Sequence, residues 1–577
     1  MTNNYFEEYK RWMDSPALSE REWNELSSIA DDDAEIKSRF ISPLEFGTAG
    51  LRGEMATGLR RMNVHTVRWT TQAFAQLIIS EGEIACEQGV VICYDCRENS
   101  AKFAFEAARV MAANGIKVQL FDAMRPTPEL SYAVISSNAT AGINITASHN
   151  PKEYNGYKVY WSDGAQLPPE HAKAVAKSMS SVDIFKDIKL IDFEQGVQNG
   201  LIEYIGHEVD EGFLSNVLAM SINSDIVKKV ADDFKIVYTP FHGAGYKLVP
   251  EALKRLGIKN LYPEPAQMVV DGTFPTVKSP NPENPEGFYL AVELAKKVGS
   301  DLIIGTDPDG DRVGVMVRNS DGDYVGISGN QMGVLLLDYI INARREKGSL
   351  PDNAAFIKTI VTTNMGREIA LKNGLHVDET FTGFKFMAEK LAEYERDQSF
   401  KYVLAYEESY GYMMGDYVRD KDAVTASMLI AEMAAFYHSK SMTLSDAMES
   451  LYEKYGFFSE KTINVVLPGL DGLEKMQNIM ETLRKNPPDE IGGLRVMGMK
   501  DYSTGDVTVP SIGIVGKTEI VGSNVLSFDL ESSTSFIVRP SGTEPKIKVY
   551  ILTSGESLAD CEKKIIACEK FSEGLGE

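Results

Sequence analysis

Hydrophobic and polar positions follow a repeating order along most of the chain. A short β-rich run, GVVICYD, precedes apolar residues at helical spacing in SAKFAFEAARVMAANG, and a second β-rich run, IKVQLFD, comes next. This order predicts a β-α-β unit whose helix ends near Asn114-Gly115. Strands that alternate with helices of this length form parallel sheets covered by helices on both faces.

The same order returns twice further along the chain. One repeat runs from FKIVYTP through GYKLVPEALKRLG to SDLIIGTD, and the next from AAFIKTIVTT through MGREIALKNG to KYVLAYEE. The C-terminal part differs, because KTINVVLPG and TSFIVRPSGTEPKIKVYILTSG predict strands with one tight loop, and SLADCEKKIIACEKFSE predicts a closing helix. The pattern predicts an α/β protein of three consecutive α/β domains with mainly parallel, mixed sheets, followed by an α+β domain.

The chain has 577 residues, which is enough for several domains of ordinary size. A hairpin signal, Asp321-Gly322 between VGVMVRN and YVGI, marks an antiparallel edge between the second and third domains. We expect the four domains at residues 1–210, 211–323, 324–450 and 451–577.

The charge balance is strongly acidic, with 83 Asp and Glu against 59 Lys and Arg residues. Nucleic acids and anionic membranes bind basic surfaces, so the net charge of −24 argues against both as partners. The N-terminus has no apolar leader, and no apolar run approaches the ~18 residues of a membrane span. Five sparse cysteines indicate a reduced, cytoplasmic protein, and the Cys93/Cys96 pair at a predicted strand end favours core packing over redox or zinc chemistry.

Three carboxylates follow a short apolar strand in IIGTDPDGDRVG, namely Asp307, Asp309 and Asp311. In an extended segment alternate side chains point the same way, so these groups repel one another unless a cation lies between them. Oxygen ligands favour Mg²⁺ or a similar hard ion. A solvated acidic turn and the loop of an aspartyl-nucleophile phosphatase are alternatives, whereas Arg312 and Arg318 occupy the Gly and Glu positions of a calcium EF-hand and exclude it.

The stretch GINITASHNPKEYNGYK ends an apolar run at Ser148, directly before a His-Asn-Pro turn. An ordinary turn accounts for this pattern, and so does a serine that is presented to a ligand. His149 is a candidate for orienting the loop or a phosphate, because no G-x-S-x-G elbow supports a hydrolase triad.

A candidate anion cradle lies in RPSGTEPKIKVY. Glycine allows close backbone approach, hydroxyls and N–H groups surround an anion, and arginine gives bidentate contacts. A plain hairpin turn is the alternative for this loop, which contains Arg539, Ser541, Gly542 and Thr543. Further basic residues lie near the other candidate loops, although each alone is usually a surface charge: Arg52, Lys158, Arg312 and Lys385.

Polar side chains also follow the predicted strand YVLAY, where YEESYGY supplies Glu407, Glu408 and Ser409. Carboxylates and hydroxyls suit the hydroxyl groups of a sugar, although a solvated acidic loop has the same composition. TASHNP, DPDGDR and YEESYG each follow a predicted parallel strand, at the sheet edge where open α/β sheets bind ligands. We therefore expect one cleft to which all four domains contribute a loop.

The motifs TASHNPKEYNGYK, DPDGDR and RPSGTEPK, in this order, resemble the signatures of the α-D-phosphohexomutase superfamily. The chain is most similar to the long phosphoglucomutase and phosphopentomutase-like branch, over nearly its whole length. The resemblance implies four domains around a central cleft. It also implies reversible conversion of glucose 1-phosphate to glucose 6-phosphate through a phosphoserine and a glucose 1,6-bisphosphate intermediate, which also serves as primer.

Residue roles follow from the match to the family motifs. Ser148 is the expected phosphoserine, and one Mg²⁺ per chain is expected on Asp307, Asp309, Asp311 and a phosphoserine oxygen. Lys158, a candidate proton donor or acceptor, joins Arg52 and His149 among the expected catalytic residues. The candidates for substrate contacts are Arg312, Lys385, Glu407, Ser409, Arg539, Ser541, Gly542 and Thr543.

The sugar-binding loop departs from the short hexomutase branch, which has Gly before the Glu and Gly-His after the Ser. Here Tyr406 precedes Glu407, Tyr410 follows Ser409, and the His is absent. Ribose or deoxyribose 1-phosphate and mannose phosphate are therefore alternative substrates. Outside the mutases, a metal-dependent sugar phosphatase and a non-catalytic sugar-phosphate-binding protein are the alternatives. A small-molecule sugar phosphate is the expected partner of a monomer or weak homodimer.

Overall fold

The structure is a computed structural model. It describes residues 5–47, 50–319, 321–467, 472–541 and 546–575. The chain divides into two compact units. Unit 1 contains Met1–Ile327 and Tyr410–Ser441, and unit 2 contains Ser328–Ser409 and Met442–Glu577. None of the described helices is both long and apolar enough to cross a membrane.

The first sheet of unit 1 is mixed. Its strands within the described residues are β1 (Leu51–Glu54), β2 (Val90–Tyr94), β3 (Val118–Phe121), β4 (Ala141–Ile145), β5 (Tyr154–Trp161) and β6 (Ile202–Ile205). They lie in the order β1-β5-β4-β2-β3-β6, in which β4, β2, β3 and β6 are parallel and β5 and β1 are antiparallel to their inner neighbours. Every residue of β2 and β4 is buried, as expected for central strands of a covered sheet.

Ten helices accompany this sheet in the described part of unit 1. They are α1 (Tyr5–Met13), α2 (Glu20–Ser27), α3 (Asp33–Phe40), α4 (Val64–Ser80), α5 (Glu83–Gln88), α6 (Ser100–Ala113), α7 (Thr127–Ser136), α8 (Pro169–Met179), α9 (Phe193–Gln198) and α10 (His207–Ala219). The longest, α4, is capped at its N-terminus by Asn63, whose side chain accepts hydrogen bonds from the backbone of His65 and Thr66. It packs against α6 and α8 and contributes to the apolar core of the first sheet.

The second sheet of unit 1 follows the same plan. Its strands are β7 (Lys235–Thr239), β8 (Asn260–Pro263), β9 (Leu302–Thr306), β10 (Val313–Arg318) and β11 (Tyr324–Ile327). They lie in the order β11-β10-β9-β7-β8, and β10 and β11 form the predicted antiparallel hairpin at the edge. The helices are α11 (Ser224–Val230), α12 (Gly245–Leu256), a 3₁₀ turn (Pro285–Phe288) and α13 (Tyr289–Val298).

Unit 2 begins with the third α/β repeat. Its elements are α14 (Gly329–Glu346), β12 (Ala354–Thr359), α15 (Asn364–Lys372), β13 (His376–Thr380), α16 (Phe384–Asp397) and β14 (Lys401–Glu407). Strand β12 is parallel to both β13 and β14, which confirms the predicted parallel pairing.

The chain then returns to unit 1 for one short strand and one helix, β15 (Gly411–Met413) and α17 (Ala423–His438). Helix α17 packs against α10, α11, α12 and β9. Every residue from Ala423 to Ala435 is buried, so this mostly apolar helix is enclosed on all sides and belongs to the interior of unit 1.

The C-terminal part of unit 2 is mostly antiparallel sheet with a closing helix, which confirms the predicted α+β character of this part. Its elements are α18 (Leu444–Tyr455), β16 (Phe457–Val466), α19 (Gly472–Lys485), β17 (Glu490–Ile491), β18 (Leu494–Asp501), β19 (Asp506–Val509), β20 (Gly513–Lys517), β21 (Leu526–Leu530), β22 (Thr534–Pro540), β23 (Lys546–Gly555) and α20 (Leu558–Gly574). The main sheet has the order β16-β23-β22-β21-β18-β19-β20.

All five cysteines are unpaired. Cys93 is fully buried in β2, and its thiol donates to the Arg125 carbonyl over 3.2 Å. Burial raises the pKa of Cys93, so its thiol stays protonated. This confirms core packing at Cys93.

Candidate active site

Ser148 lies on a tight turn just after β4, and its backbone is left-handed, with φ at 52°. This conformation is uncommon for residues other than glycine and marks strained positions at functional sites. The residue is only 4% exposed. Its Oγ donates to Asp307 Oδ2 over 2.9 Å and lies 3.2 Å from Nδ1 of His149. The serine is therefore held facing the acidic loop.

The acidic loop follows β9 and carries Asp307, Asp309 and Asp311, all of them buried. The expectation of an extended segment is wrong, because residues 308–310 form a turn. The backbone N–H groups of Asp311 and Arg312 close it by donating to Asp307 Oδ1. The turn still brings one oxygen of each of the three carboxylates within 4.8 Å of the others.

Close contacts fix the path of this loop. A Cβ on Gly243 would lie 2.4 Å from Cα of Pro308, and Gly310 has a φ of 63°, so both positions favour glycine. At the start of α7, Thr127 donates through its N–H to the Asp309 carbonyl over 2.7 Å and through Oγ1 to Asp309 Oδ2 over 3.1 Å.

Two lysines lie against the carboxylates. Lys158 Nζ is 2.7 Å from Asp309 Oδ2 and 3.5 Å from Asp311 Oδ2, and Lys421 Nζ is 3.2 Å from Asp311 Oδ2. Burial alone would lower the pKa of Lys158, but these two carboxylates raise it above its ordinary value. Burial, followed by the charges of Asp309 and Asp311, raises the pKa of Asp307 well above its usual range. The two lysines therefore do not fully balance the negative charge of the three aspartates.

The carboxylates leave oxygens available for a cation. Within the part of the chain that the structure describes, Asp309 Oδ1 and Asp311 Oδ1 are buried without a hydrogen-bond partner. Such atoms cost free energy, and a divalent cation between them would remove that cost together with the repulsion of the three charges. A donor set made only of oxygens suits Mg²⁺. The residues present therefore fit the expected metal.

The structure brings Arg52, Arg312 and His149, the other predicted residues of unit 1, together near the serine turn. Arg52 is exposed and donates through Nη1 to Asn150 Oδ1 over 3.1 Å. Arg312 is half-buried and pairs with Glu283, Nη1 to Oε1, at 3.0 Å. Desolvation, followed by the nearby Arg312 and Arg52, lowers the pKa of His149 well below its usual value, so its imidazole is neutral.

The predicted sugar loop lies in unit 2. Glu407 ends β14 and accepts a hydrogen bond from the backbone N–H of Gly383, the residue before α16. This contact ties the loop to the start of the helix that carries Lys385. Ser409 is half-buried beyond the strand. Burial, followed by the charge of Glu407, raises the pKa of Glu408 to about 7.

The predicted phosphate loop also lies in unit 2, at the hairpin of β22 and β23. Arg539 is opposite Lys548 in the strand register, and both Arg539 and Ser541 are half-buried. Gly542 and Thr543 lie outside the described residues. A pair of cations at the base of a turn suits an anionic ligand.

Sequence reasoning missed four residues at or beside the site. Lys421 and Thr127 contact the acidic loop, Arg97 donates to the Ser148 carbonyl, and Asp95 accepts a hydrogen bond from Thr146 in the serine turn. Lys421 and Thr127 reach the acidic loop from distant segments, and nothing in their local sequence indicates this. Asp95 and Arg97 did carry a signal, because charges that directly follow a buried central strand face a sheet edge where ligands bind.

Fold and site together define a class of protein. Proteins of this class have successive α/β sheets. In this chain a strained serine follows a parallel strand of the first sheet and faces a buried acidic loop, flanked by lysines, that follows a strand of the second sheet. Family models described as phosphoglucomutase/phosphomannomutase α/β/α domains I, II and III match residues 43–184, 211–322 and 328–455. The chain belongs to the phosphoglucomutase/phosphomannomutase family, which confirms the resemblance seen in the motifs.

Relatives named phosphoglucomutase match nearly the whole chain. The protein of Staphylococcus aureus strain MRSA252 is 37% identical over 536 residues, covering 93% of this chain and 94% of its own. That of Staphylococcus saprophyticus is 35% identical over 534 residues, covering 92% and 94%.

Solved structures share the fold. Parafusin, a phosphoglucomutase from Paramecium in an open form, matches with a TM-score of 0.66 at 18% identity over 93% of this chain and 95% of its own. A phosphoglucomutase/phosphomannomutase family protein from Burkholderia thailandensis matches with a TM-score of 0.63 at 17% identity, over 92% and 97% of the two chains.

Proposed function

We propose that this chain is an α-phosphoglucomutase, which interconverts glucose 1-phosphate and glucose 6-phosphate through a phosphoserine at Ser148 and a glucose 1,6-bisphosphate intermediate. The contact between Ser148 Oγ and Asp307 Oδ2, at 2.9 Å, carries the proposal. It places a serine hydroxyl against a buried carboxylate cluster, in a family whose long relatives are named phosphoglucomutase.

The proposed reaction moves one phosphoryl group in each half. The bond between phosphorus and Ser148 Oγ breaks and a bond to a sugar hydroxyl oxygen forms. That hydroxyl loses its proton to a base, and Ser148 Oγ takes up a proton to become a hydroxyl again. After the bisphosphate turns over, its other phosphoryl group returns to Ser148. Charge spreads over the oxygens of a phosphoryl group in transfer, so cations beside it stabilise the transition state. Lys158, Arg52 and Arg312 are the proposed cations of unit 1, and Lys158 is a candidate for the proton transfer.

One Mg²⁺ per chain is the proposed cofactor. Asp307, Asp309 and Asp311 would hold it, with an oxygen of the phosphorylated Ser148. When bound, the ion supplies Lewis-acid stabilisation of phosphoryl oxygens. Lys158 keeps Asp309 ionised: burial opposes ionisation, but the lysine lowers the pKa of that carboxyl below its ordinary value.

The substrate contacts are proposed for unit 2. Glu407 and Ser409 would bind sugar hydroxyls, and Lys385 lies at the start of the helix that Glu407 contacts. Arg539, Ser541, Gly542 and Thr543 would bind the phosphate that is not reacting. The division into domains at 1–210, 211–323, 324–450 and 451–577 then gives the serine, metal, sugar and phosphate loops to successive domains. One cleft shared by all four stays a prediction.

The decisive experiment measures conversion of glucose 1-phosphate with Mg²⁺ and a trace of glucose 1,6-bisphosphate. Ser148→Ala is compared with Ser181→Ala, a control at an exposed serine of the same unit. We expect Ser148→Ala to lose activity at least about 1,000-fold, because the acceptor oxygen is gone, while the control keeps it. Intact-mass analysis is expected to show one phosphoryl group on the wild type and none on Ser148→Ala. Near-native activity of Ser148→Ala contradicts the mechanism.

The same assay separates the alternatives. A phosphatase releases inorganic phosphate and survives Ser148→Ala but not Asp307→Asn, and a binding protein converts nothing. Ribose 1-phosphate and mannose 1-phosphate are tested beside glucose 1-phosphate, because the loop around Glu407 lacks the His of the short branch. A higher kcat/KM on ribose 1-phosphate assigns the chain to the pentomutases instead.

The cellular setting is proposed on composition. A net charge of −24 disfavours nucleic acid and anionic membrane as partners, and five unpaired cysteines suit a reducing cytoplasm. The proposed state is a monomer or weak homodimer acting on a free sugar phosphate.

A further inference from the structure

The guanidinium of Arg97 is enclosed by the backbone of the serine turn. Its side chain has no exposed surface. Nη2 donates to the carbonyls of Ser148 and Asn150, each over 2.5 Å, and Nη1 donates to those of Pro151 and Tyr154 over 2.8 and 3.0 Å. One side chain therefore holds four carbonyl groups of a single loop.

Asp95 holds the other side of the same turn. Its Oδ2 lies 3.3 Å from Arg97 Nε and accepts a hydrogen bond from Thr146 Oγ1 over 2.6 Å. That hydroxyl in turn accepts the N–H of Ser148 over 2.9 Å. Asp95 Oδ1 accepts from Ser100 Oγ over 2.7 Å, which anchors the carboxylate to the start of α6. The peptide groups on both sides of Ser148 are thus tied to one buried ion pair.

This arrangement matters because Ser148 is left-handed, with φ at 52°. A residue with a Cβ persists in that conformation only where its surroundings enforce it. Resting on the proposed function, we propose that Asp95 and Arg97 are positioning residues: they hold the strained turn that aims Ser148 Oγ for phosphoryl transfer. Neither residue touches the acidic loop through a hydrogen bond in the described part of the chain.

Lysine cannot replace arginine in this position. The planar guanidinium presents five donors in fixed directions, whereas an ammonium is a compact charge with three donors. The Arg97 guanidinium also lies 5.3 Å from the centre of the Phe274 ring, which is a cation–π contact. Arg97→Lys keeps the charge beside Asp95 but loses carbonyl contacts, so it separates geometry from charge.

The test compares the steady-state mutase kinetics, kcat and KM, of Arg97→Lys and Arg109→Lys. Arg109 is a matched control in the same unit, since it donates to the Ile191 carbonyl and pairs with Glu106 away from the turn. We expect Arg97→Lys to lower kcat about 100-fold with KM within about twofold, because misplacing a nucleophile slows the transfer without weakening binding. Phosphorylation of Ser148 by glucose 1,6-bisphosphate, followed by intact mass, is expected to slow by a similar factor. The control should match the wild type.

A second variant covers the case in which Arg97→Lys fails to fold. Thr146→Val removes only the hydroxyl that links Asp95 to the Ser148 amide, and we expect about 10-fold lower kcat, restored by Thr146→Ser. Hydrogen exchange in a peptide spanning residues 146–154 is expected to quicken in both Arg97→Lys and Thr146→Val, whether or not either turns over.

The outcomes distinguish this inference from the proposed function. If the wild type converts glucose 1-phosphate and Arg97→Lys keeps its kcat, the positioning role is wrong. A raised KM with unchanged kcat also overturns it, because that result indicates a binding role. If the wild type converts none of the sugar phosphates, the proposed function fails, and unchanged exchange in residues 146–154 then overturns the positioning role independently.

Discussion

The serine and acidic loops of unit 1 differ from the predicted sugar and phosphate loops of unit 2 in how far most of their side chains are buried. Ser148, Lys158 and the three aspartates are each at most 6% exposed. In contrast, Lys385, Ser409, Arg539 and Ser541 are half-buried at the ends of helices and strands, although Glu407 of the predicted sugar loop is 4% exposed. Groups that carry out phosphoryl transfer gain from a fixed, water-poor setting, whereas groups that capture a ligand must stay accessible.

Burial in unit 1 also requires that charges compensate one another. The aspartates lie against Lys158 and Lys421, and the remaining negative charge suits a cation. Substitutions in this cluster are therefore expected to change kcat, and those in the loops of unit 2 to change KM.

The largest effect is expected at the acidic loop. Asp309→Asn removes a proposed ligand charge and should lower kcat about 1,000-fold and weaken Mg²⁺ binding, measured by turnover and by calorimetry. Asp321→Asn, on the exposed β10–β11 hairpin, is the control. Stripping divalent ions should abolish activity in the wild type, and Mg²⁺ should restore it. Full activity in excess chelator contradicts the metal site.

The two units are expected to respond to pH with opposite signs. In unit 2, burial raises the pKa of Glu460 from 4.5 to about 7, so its ionisation destabilises the fold as pH rises through this interval. In unit 1, burial opposes ionisation of Glu22, but hydrogen bonds with His65 and Ser19 lower its pKa to about 2, so stability is lost as pH falls below 4.5. These signs follow from proton linkage.

Glu460→Gln tests this difference, because Gln can still accept the hydrogen bond from Thr363 but cannot ionise. We expect the variant to be about 3 kcal/mol more stable than the wild type at pH 8 and equal to it near pH 4, as measured by thermal unfolding across pH. An unchanged pH profile means that Glu460 is not the group responsible.

A smaller effect is expected at the sugar loop. Glu407→Gln keeps the shape and the hydrogen bond from Gly383 but loses charge, so we expect KM for the sugar phosphate to rise about 10-fold with kcat nearly unchanged. Glu395→Gln on α16 is the control in the same unit. A loss confined to kcat would remove the contrast between the units.

The smallest effect is expected where unit 1 supports a metal ligand indirectly. Thr127→Val deletes the hydroxyl that donates to Asp309 Oδ2, and Mg²⁺ affinity should fall about fivefold, or about 1 kcal/mol, in a titration. Thr127→Ser should retain most of the affinity. An affinity equal to the wild type in Thr127→Val shows that Lys158 alone suffices to orient the carboxylate.

Local pattern predicted much of this molecule. The runs GVVICYD, SDLIIGTD and KYVLAYEE became buried parallel strands, because a central strand needs apolar residues on both faces. Ser148 and the acidic triplet stood out because polar groups directly follow such strands. The turn at 308–310 escaped prediction, since alternate spacing alone does not distinguish an extended segment from a turn.

Long-range pairing could not be predicted from the same information. Lys421 reaches Asp311 from the segment before α17, and Arg97 reaches Pro151 and Tyr154 from the segment after β2. Each partner is an ordinary charge or carbonyl in its own stretch of sequence, and only the fold brings the two together.

The return of the chain to unit 1 through α17 has a consequence for synthesis on the ribosome. A nascent chain that has reached Ile327 has all strands of the second sheet but lacks the apolar helix Ala423–His438 that covers α12 and β9. Until that helix emerges, these surfaces remain open to water and to other nascent chains. A chain that terminates between residues 328 and 422 would therefore expose the apolar surfaces of α12 and β9 and is expected to aggregate.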